Sequence, residues 1–191
     1  MENFEKALVR AYKQTRDLPF WINIGQAGNL RETLKDIKIR KKGSCSSKHY
    51  LLGSLCEKLG MSVTYLTHPF YWQGLGVAYP DSIKRLVDKM SLQYHLALKV
   101  SSNSDSFILD ATWDPPLEKA GFPINRAVEN LRDLEDTRIA VVPSGECIIH
   151  KTATERERFI KRALNGMNVD RVLWQGFFTS FNEWVEGIRK T

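Results

Sequence analysis

Apolar residues recur at helical intervals over the first forty residues of the chain. Residues 2–16 carry them at steps of three and four, which predicts a helix that ends before Pro19. A second helix is predicted from Asn29, because this side chain can cap a first turn and Glu32 completes a capping box. The stripe that this second helix would bury consists of Leu30, Leu34 and Ile37.

The next apolar pattern, from Cys45 to Leu59, predicts a third helix. Ser44 is a suitable N-cap for it, and Gly60 is a suitable terminator. Apolar side chains occupy much of the circumference of this helix. We therefore expect it to lie at the centre of the fold, with a cysteine at its first position.

Strand patterns follow the third helix. Residues 61–67 predict a strand, whereas the aromatic and glycine-containing segment 68–76 is typical of a loop. Residues 92–100 and 106–113 predict two more strands, and the polar segment between them predicts the turn of a hairpin. If that turn is tight, paired residues have numbers that sum to about 207.

Shorter patterns come after these strands. Asp81 begins a short helix, and another short helix is predicted over about residues 126–134. The apolar stretches 139–142 and 147–149 favour short strands. Helices, a strand, a hairpin and further helices, in this order, are typical of the α+β class.

Two helices are predicted at the C-terminal end, over residues 155–164 and 169–189, and the second carries a wide aromatic stripe. We favour packing of the stripe against the domain; the alternative is a surface for a protein partner or a homodimer. The chain then divides into a core domain over residues 1–150 and a C-terminal helical extension over residues 151–191 that packs on the core. The stripe consists of Leu173, Trp174, Phe177, Phe178, Phe181, Trp184, Val185 and Ile188.

Composition narrows the class of protein. Of 191 residues, 42% are hydrophobic and 26% are charged, as in ordinary globular proteins. No apolar run approaches bilayer length and the N-terminal residues lack a signal-peptide pattern, so we expect a cytoplasmic location and no membrane association. The net charge is +6, with a basic run at residues 38–42. A solvated helix end, a phosphate-binding patch or a positive potential beside Cys45 would each explain this run, and nucleic acid is not the expected partner.

The cysteine and histidine spacing limits the candidate chemistry. Three cysteines are present, an odd number, and they form no CxxC pair. The four histidines are scattered along the chain. We therefore expect neither a disulfide framework nor a metal site, and no cofactor is implied.

Cys45, His95 and Asp110 are the candidate catalytic residues. A thiol in the first turn of a helix lies where backbone N–H groups and the helix dipole favour an anion. His95 lies on the first strand of the hairpin, and the pairing places Asp110 as a near or diagonal neighbour on the same face. An aspartate that accepts the imidazole N–H orients the ring, and the ring can then take the thiol proton.

Two other residues compete for these roles. His49 lies one helical turn after Cys45 and could contact it, although we favour an interior packing role for this side chain. Asp114 could replace Asp110 as the acid, but its place between Trp113 and Pro115 predicts that it caps the following loop.

The local sequences around these residues resemble the transglutaminase-like superfamily. The resemblance rests on Gly43-Ser44-Cys45, on Tyr94-His95-Leu96-Ala97, and on Leu109-Asp110-Ala111-Thr112-Trp113, and it covers roughly residues 25–120. It implies a papain-like core, with a central helix packed on a small antiparallel sheet, and a Cys-His-Asp triad. Members act on amide bonds as crosslinking enzymes, peptidases or glycanases.

The resemblance implies a function for the chain. It implies attack of Cys45 on a protein, peptide or small amide substrate, through a thioester that water or an amine resolves. The alternative is a non-catalytic protein of the same fold that acts as a protein-binding module. The oxyanion would be held by the Cys45 backbone N–H and one further donor, for which Trp21, Gln26 and Trp72 are the candidates.

Overall fold

A computed structural model of the chain describes its secondary structure over residues 2–23, 29–102, 105–125, 128–135, 137–167 and 170–191. The seven helices of this part are α1 (Glu2–Arg16), α2 (Leu30–Arg40), α3 (Cys45–Lys58), α4 (Asp81–Val87), α5 (Leu131–Glu135), α6 (Ala153–Gly166) and α7 (Arg171–Lys190). Its four strands are β1 (Ser62–Phe70), β2 (Gln93–Ser101), β3 (Ser106–Leu109) and β4 (Ile148–His150). Short 3-10 helices cover Trp72–Leu75 and Pro115–Ala120.

The fold is of the predicted α+β class. The four strands form one antiparallel sheet in the order β3-β2-β1-β4. Helix α3 packs against β1 and β2, and also against α1 and α2. The predicted central position of this helix is therefore confirmed. None of the helices in the described ranges combines the length and the apolar character that a bilayer-crossing segment requires.

The predicted helix starts are also confirmed at α2 and α3. The Asn29 side chain accepts the backbone N–H of Glu32, and the Ser44 side chain accepts that of Ser47. These bonds satisfy donors that lack a partner inside the helix. Because the cap is Ser44, Cys45 occupies the first position of α3.

The hairpin has the predicted register. Leu98 pairs with Leu109 and Ser101 with Ser106, so the paired numbers sum to 207. The second strand is shorter than predicted and ends at Leu109 rather than near residue 113. It ends there because the Asp110 carboxylate accepts the backbone N–H and the hydroxyl of Thr112, a local side-chain bond that replaces the strand ladder.

Three other predicted boundaries are wrong. Strand β1 continues to Phe70 through the predicted loop, because its pairing with β2 extends from Ser62 to Phe70. Residues 139–142 form no strand, since the Ala140 N–H is donated to Asp110 instead of a neighbouring strand. The predicted helix near 126–134 is limited to α5, and residues 126 and 127 lie outside the described part.

The core has two apolar clusters. One lies where α1 and α3 cover the sheet, and the other is an aromatic cluster that α7 shares with α4 and the two 3-10 helices. The stripe of α7 faces this second cluster: Phe177, Phe178, Phe181 and Val185 are buried. This burial favours the packing interpretation of the stripe, and association with a partner or a second copy stays a prediction.

Candidate active site

The entry to α3 is fixed by backbone bonds around Gly43. Gly43 donates its N–H to Pro19 O and accepts the N–H of Trp21, both at 3.0 Å. A Cβ at Gly43 would lie 2.6 Å from Ser47 Oγ, so a larger residue could not occupy this turn unless Ser47 moved. These contacts hold the start of α3, and therefore Cys45, against the segment that follows α1.

His95 and Asp110 meet inside the fold, as the hairpin register predicts. His95 Nε2 lies 2.6 Å from Asp110 Oδ2, and both residues are 1% exposed. The remaining acceptor positions of Asp110 take the Ala140 N–H at 2.8 Å and the N–H and hydroxyl of Thr112 at 3.1 and 2.6 Å. With four accepted hydrogen bonds, this carboxylate has its geometry fixed from two different segments.

The structure brings Cys45 to the same imidazole. Cys45 and His95 line the same cavity, and the His95 ring and the Leu96 backbone are among the groups that lower the pKa of the thiol. Because Nε2 of His95 faces Asp110, Nδ1 is the ring nitrogen left for the thiol. The three predicted catalytic side chains therefore lie together: Asp110 bonds to His95, and His95 lines the same cavity as Cys45.

The electrostatics of this chain favour an ion pair. Burial opposes ionisation of Cys45, but the hydrogen bond from His95 and the charges of His95 and Arg156 outweigh it, so the pKa of the thiol is lowered. Burial likewise opposes protonation of His95, yet the charge and hydrogen bond of Asp110 raise its pKa to about 10. The Asp110 pKa is lowered, because the His95 charge and hydrogen bond outweigh the burial of the carboxyl group. These shifts favour a thiolate beside an imidazolium over a neutral thiol beside a neutral imidazole.

His49 has the interior role that the sequence favours. Its Nδ1 lies 2.7 Å from Cys45 O, and its Nε2 accepts the Ala111 N–H at 3.0 Å. An Nε2 that accepts carries no proton, and burial lowers the pKa of His49 to about 4. The approach of Nε2 to Asp110 at 3.6 Å is therefore not an ion pair. Neutral His49 ties the carbonyl of Cys45 to the segment that carries Asp110.

The prediction that Asp114 caps the following loop is wrong. Its carboxylate makes no cap bond to the 3-10 helix Pro115–Ala120. It accepts the Phe20 N–H at 2.7 Å and two guanidinium bonds from Arg189, both at 2.8 Å. Arg189 lies near the end of α7, so this buried ion pair fastens the C-terminal helix beside the site.

A cavity of about 220 Å³ opens onto Cys45 and His95. Helix α6 contributes Arg156 and Glu157 to its wall, and both side chains are buried. Most of the remaining lining is aromatic or aliphatic, as expected for a small-molecule or peptide site. The aromatic residues of the wall are Phe20, Phe70, Trp72, Tyr94, Trp113, Trp174 and Phe178.

The three oxyanion candidates lie in different places. Trp72 lines the cavity, and its indole N–H is buried without an acceptor in the described part of the chain. Trp21 lies outside the cavity lining, and Lys42 Nζ stacks 3.2 Å from its ring centroid. Gln26 lies outside the described residues. Trp72 is therefore the candidate that faces the same cavity as Cys45.

Arg156 and Glu157 are site residues that the sequence analysis missed. The spacing of residues along α6 contains a signal for both of them. Positions 156 and 157 lie three or four residues before Ile160, and Leu164 lies one turn further, so all four belong to one face. All four line the cavity, and charged residues on an apolar helix face could have been recognised as candidates.

Comparisons with known proteins found no match: no family model, no curated protein and no solved structure is similar to the chain. Among the residues that the structure describes, no group of three or more histidine, cysteine, aspartate or glutamate side chains is arranged to hold a metal ion.

Proposed function

We propose that this protein is a cysteine-dependent amide hydrolase or acyltransferase that works through a thioester on Cys45. The observation that carries the proposal is the arrangement at the cavity, in which Asp110 holds His95, and His95 lines the same cavity as Cys45 and lowers the pKa of its thiol. The transglutaminase-like resemblance supports it too. A cysteine at the start of a central helix that packs on a small antiparallel sheet is what a papain-like core implies.

The first half of the reaction forms the thioester. The thiolate of Cys45 attacks the carbonyl carbon of an amide, and the carbonyl π electrons move to oxygen. The His95 imidazolium then gives its Nδ1 proton to the amide nitrogen as the C–N bond breaks. The amine leaves, and Cys45 carries the acyl group beside a neutral His95.

The second half releases the acyl group. Water or a primary amine attacks the thioester carbon while neutral His95 accepts a proton from the attacking group. The C–S bond breaks, the thiolate is restored, and His95 is again an imidazolium. Asp110 keeps Nε2–H of the ring fixed throughout, so that Nδ1 faces the sulfur in both halves.

Two donors are suited to the negative oxygen of the tetrahedral intermediates. The backbone N–H of Cys45 lies in the first turn of α3, where helix N–H groups have no partner within the helix. The indole N–H of Trp72 lines the same cavity without an acceptor in the described residues. A donor that is buried and unpaired in the free protein is held ready for a charge that forms only during reaction.

Acylation by p-nitrophenyl acetate tests this proposal. We expect a burst of one equivalent of p-nitrophenolate, and an acetyl group that peptide mass spectrometry places on Cys45. Water or an added primary amine then removes that group. Cys45→Ser should abolish the burst and His95→Gln should slow it, whereas His68→Gln is the matched control, since His68 pairs with His95 in the neighbouring strand. Acetylation spread evenly over the three cysteines would refute the proposal.

A further inference from the structure

One carboxylate oxygen of Glu157, a residue of the cavity wall, is buried without a hydrogen-bond partner in the described part of the chain. Glu157 is 6% exposed and lines the same cavity as Cys45. Its Oε1 accepts the Tyr50 hydroxyl, whereas Oε2 has no hydrogen-bond partner in the described part of the chain. A buried polar atom without a partner costs free energy, and a charged oxygen costs the most. A ligand that brings a donor into the cavity would remove this cost.

The charge around the cavity decides what kind of donor fits. The ion pair of Cys45 and His95 is neutral as a whole, and so is the neighbouring pair of Arg156 and Glu157. Asp110, bound to His95, adds one negative charge. With the usual charges of these five groups at neutral pH, one net negative charge remains, which favours a cation over a neutral or anionic ligand.

Arg156, the charged residue beside Glu157, makes its hydrogen bonds to other groups. Arg156 donates to Thr67 and Tyr50 side chains and to the Tyr94 carbonyl, and its guanidinium lies 3.7 Å from Glu157 Oε1, beyond hydrogen-bond distance. Oε2 is the end of the carboxylate that these contacts leave out.

We propose that Glu157 determines substrate specificity by binding a protonated primary amine of the substrate at Oε2. The inference rests on the proposed function, because the amine must belong to an amide substrate or an acyl acceptor that reaches Cys45. A short aliphatic chain between the ammonium group and the reacting centre fits the apolar wall, to which Ile160 and Leu164 belong.

Methanethiosulfonate reagents of different charge test the inference at Cys45 itself. The probes carry a 2-ammonioethyl, a methyl or a 2-sulfonatoethyl group, and the exposed thiol of Cys147 corrects for intrinsic reactivity. After this correction we expect the ammonium reagent to modify Cys45 on the order of tenfold faster than the methyl reagent, and the sulfonate reagent to be slowest.

Glu157→Gln should remove the tenfold preference, since it keeps an acceptor for Tyr50 but loses the charge. Glu155→Gln is the matched control on the same helix, because Glu155 is exposed and outside this cavity. Tyr50→Phe keeps the Glu157 charge and should keep the preference. A preference that survives in Glu157→Gln, or that is absent from the unmodified protein, would overturn the inference.

A measurement on the unmodified protein covers the case in which Glu157→Gln does not fold. Propylammonium should protect Cys45 from the methyl reagent, and propanesulfonate at the same concentration should not. Equal protection by both would also overturn the inference. Failure of the proposed function has a different signature: Cys45 would then react no faster than Cys147 with the methyl reagent, whatever the order of the three probes.

Discussion

Asp110→Asn is the substitution that separates the charge of the triad from its shape. Both oxygens of Asp110 accept a backbone N–H, from Thr112 at Oδ1 and from Ala140 at Oδ2. Whichever way the introduced asparagine side chain is turned, its NH₂ group therefore faces one of these two backbone N–H groups. One buried N–H loses its acceptor, and we expect the free energy of unfolding to fall by about 1–3 kcal/mol.

The larger effect of this substitution should be on the thiol. Without the Asp110 charge, His95 loses the main influence that raises its pKa, and the imidazolium that lowers the pKa of Cys45 is lost with it. At pH 6 a thiol with an ordinary pKa of about 8.5 is only about 0.3% ionised. Part of the loss is offset because a thiolate of higher pKa is more nucleophilic, so we expect alkylation at pH 6 to slow by about ten- to a hundredfold.

The assay is carboxamidomethylation by iodoacetamide between pH 5 and 9, with each cysteine followed by peptide mass spectrometry. Cys147 is an internal reference, since it is exposed and burial raises its pKa. In the unmodified protein the ratio of Cys45 to Cys147 rates should rise steadily as the pH falls. Asp133→Asn, outside the cavity, is the control. An Asp110→Asn protein that is folded and keeps the unmodified ratio at pH 6 would refute this electrostatic reasoning.

Urea unfolding checks two further predictions. In the ion pair the proton that leaves Cys45 is held by His95, so the two groups bind as many protons folded as unfolded between about pH 6.5 and 8.5, their ordinary pKa values, and contribute no pH dependence of stability there. In Cys45→Ser no thiol proton compensates for the raised pKa of His95, so the free energy of unfolding should fall as the pH rises above 6.5. A pH profile of stability equal to that of the unmodified protein would contradict the ion pair. Gly53→Ala should destabilise by about 1–3 kcal/mol, because its Cβ would lie 2.8 Å from Tyr65 Oη. Gly187→Ala, with no atom within 4 Å, should instead stabilise by up to about 1 kcal/mol, and equal effects of the two would argue against the packing around α3.

Local signals in the sequence account for the two parts of the candidate site, the cysteine at the start of α3 and the His95–Asp110 pair, but not for their meeting. Ser44 caps α3, and a cap acts within one turn, so the place of Cys45 follows from residues 43–47. The hairpin is also local, because a short turn fixes its register and the register places His95 near Asp110. Tertiary packing brings α3 and the hairpin together. In the sequence, this packing is indicated only by the apolar character of the helix and by the resemblance.

Interactions between distant segments explain what the sequence could not predict. Asp114 and Arg189 are 75 positions apart, so a rule based on neighbouring residues assigned Asp114 to the nearest loop. The N–H of Ala140 reaches Asp110 across 30 positions, and this bond removes residues 139–142 from any strand. In both cases a buried carboxylate takes donors from remote segments, because each of its lone pairs needs a partner inside the fold.

The proposed catalytic residues and the charged wall of the cavity come from different parts of this chain. Cys45, His95 and Asp110 are held by α3 and the hairpin, whereas the charged wall of the cavity comes from α6. Helix α7 adds Trp174 and Phe178 to the cavity wall, and its Asn182 pairs with both backbone groups of Ile22 at 2.9 Å, near the segment that holds the start of α3. His95 lowers the pKa of Cys45 more than Arg156 of α6 does, so we expect changes in the α6 wall that keep Arg156 to alter which substrate is bound without loss of the activated thiol.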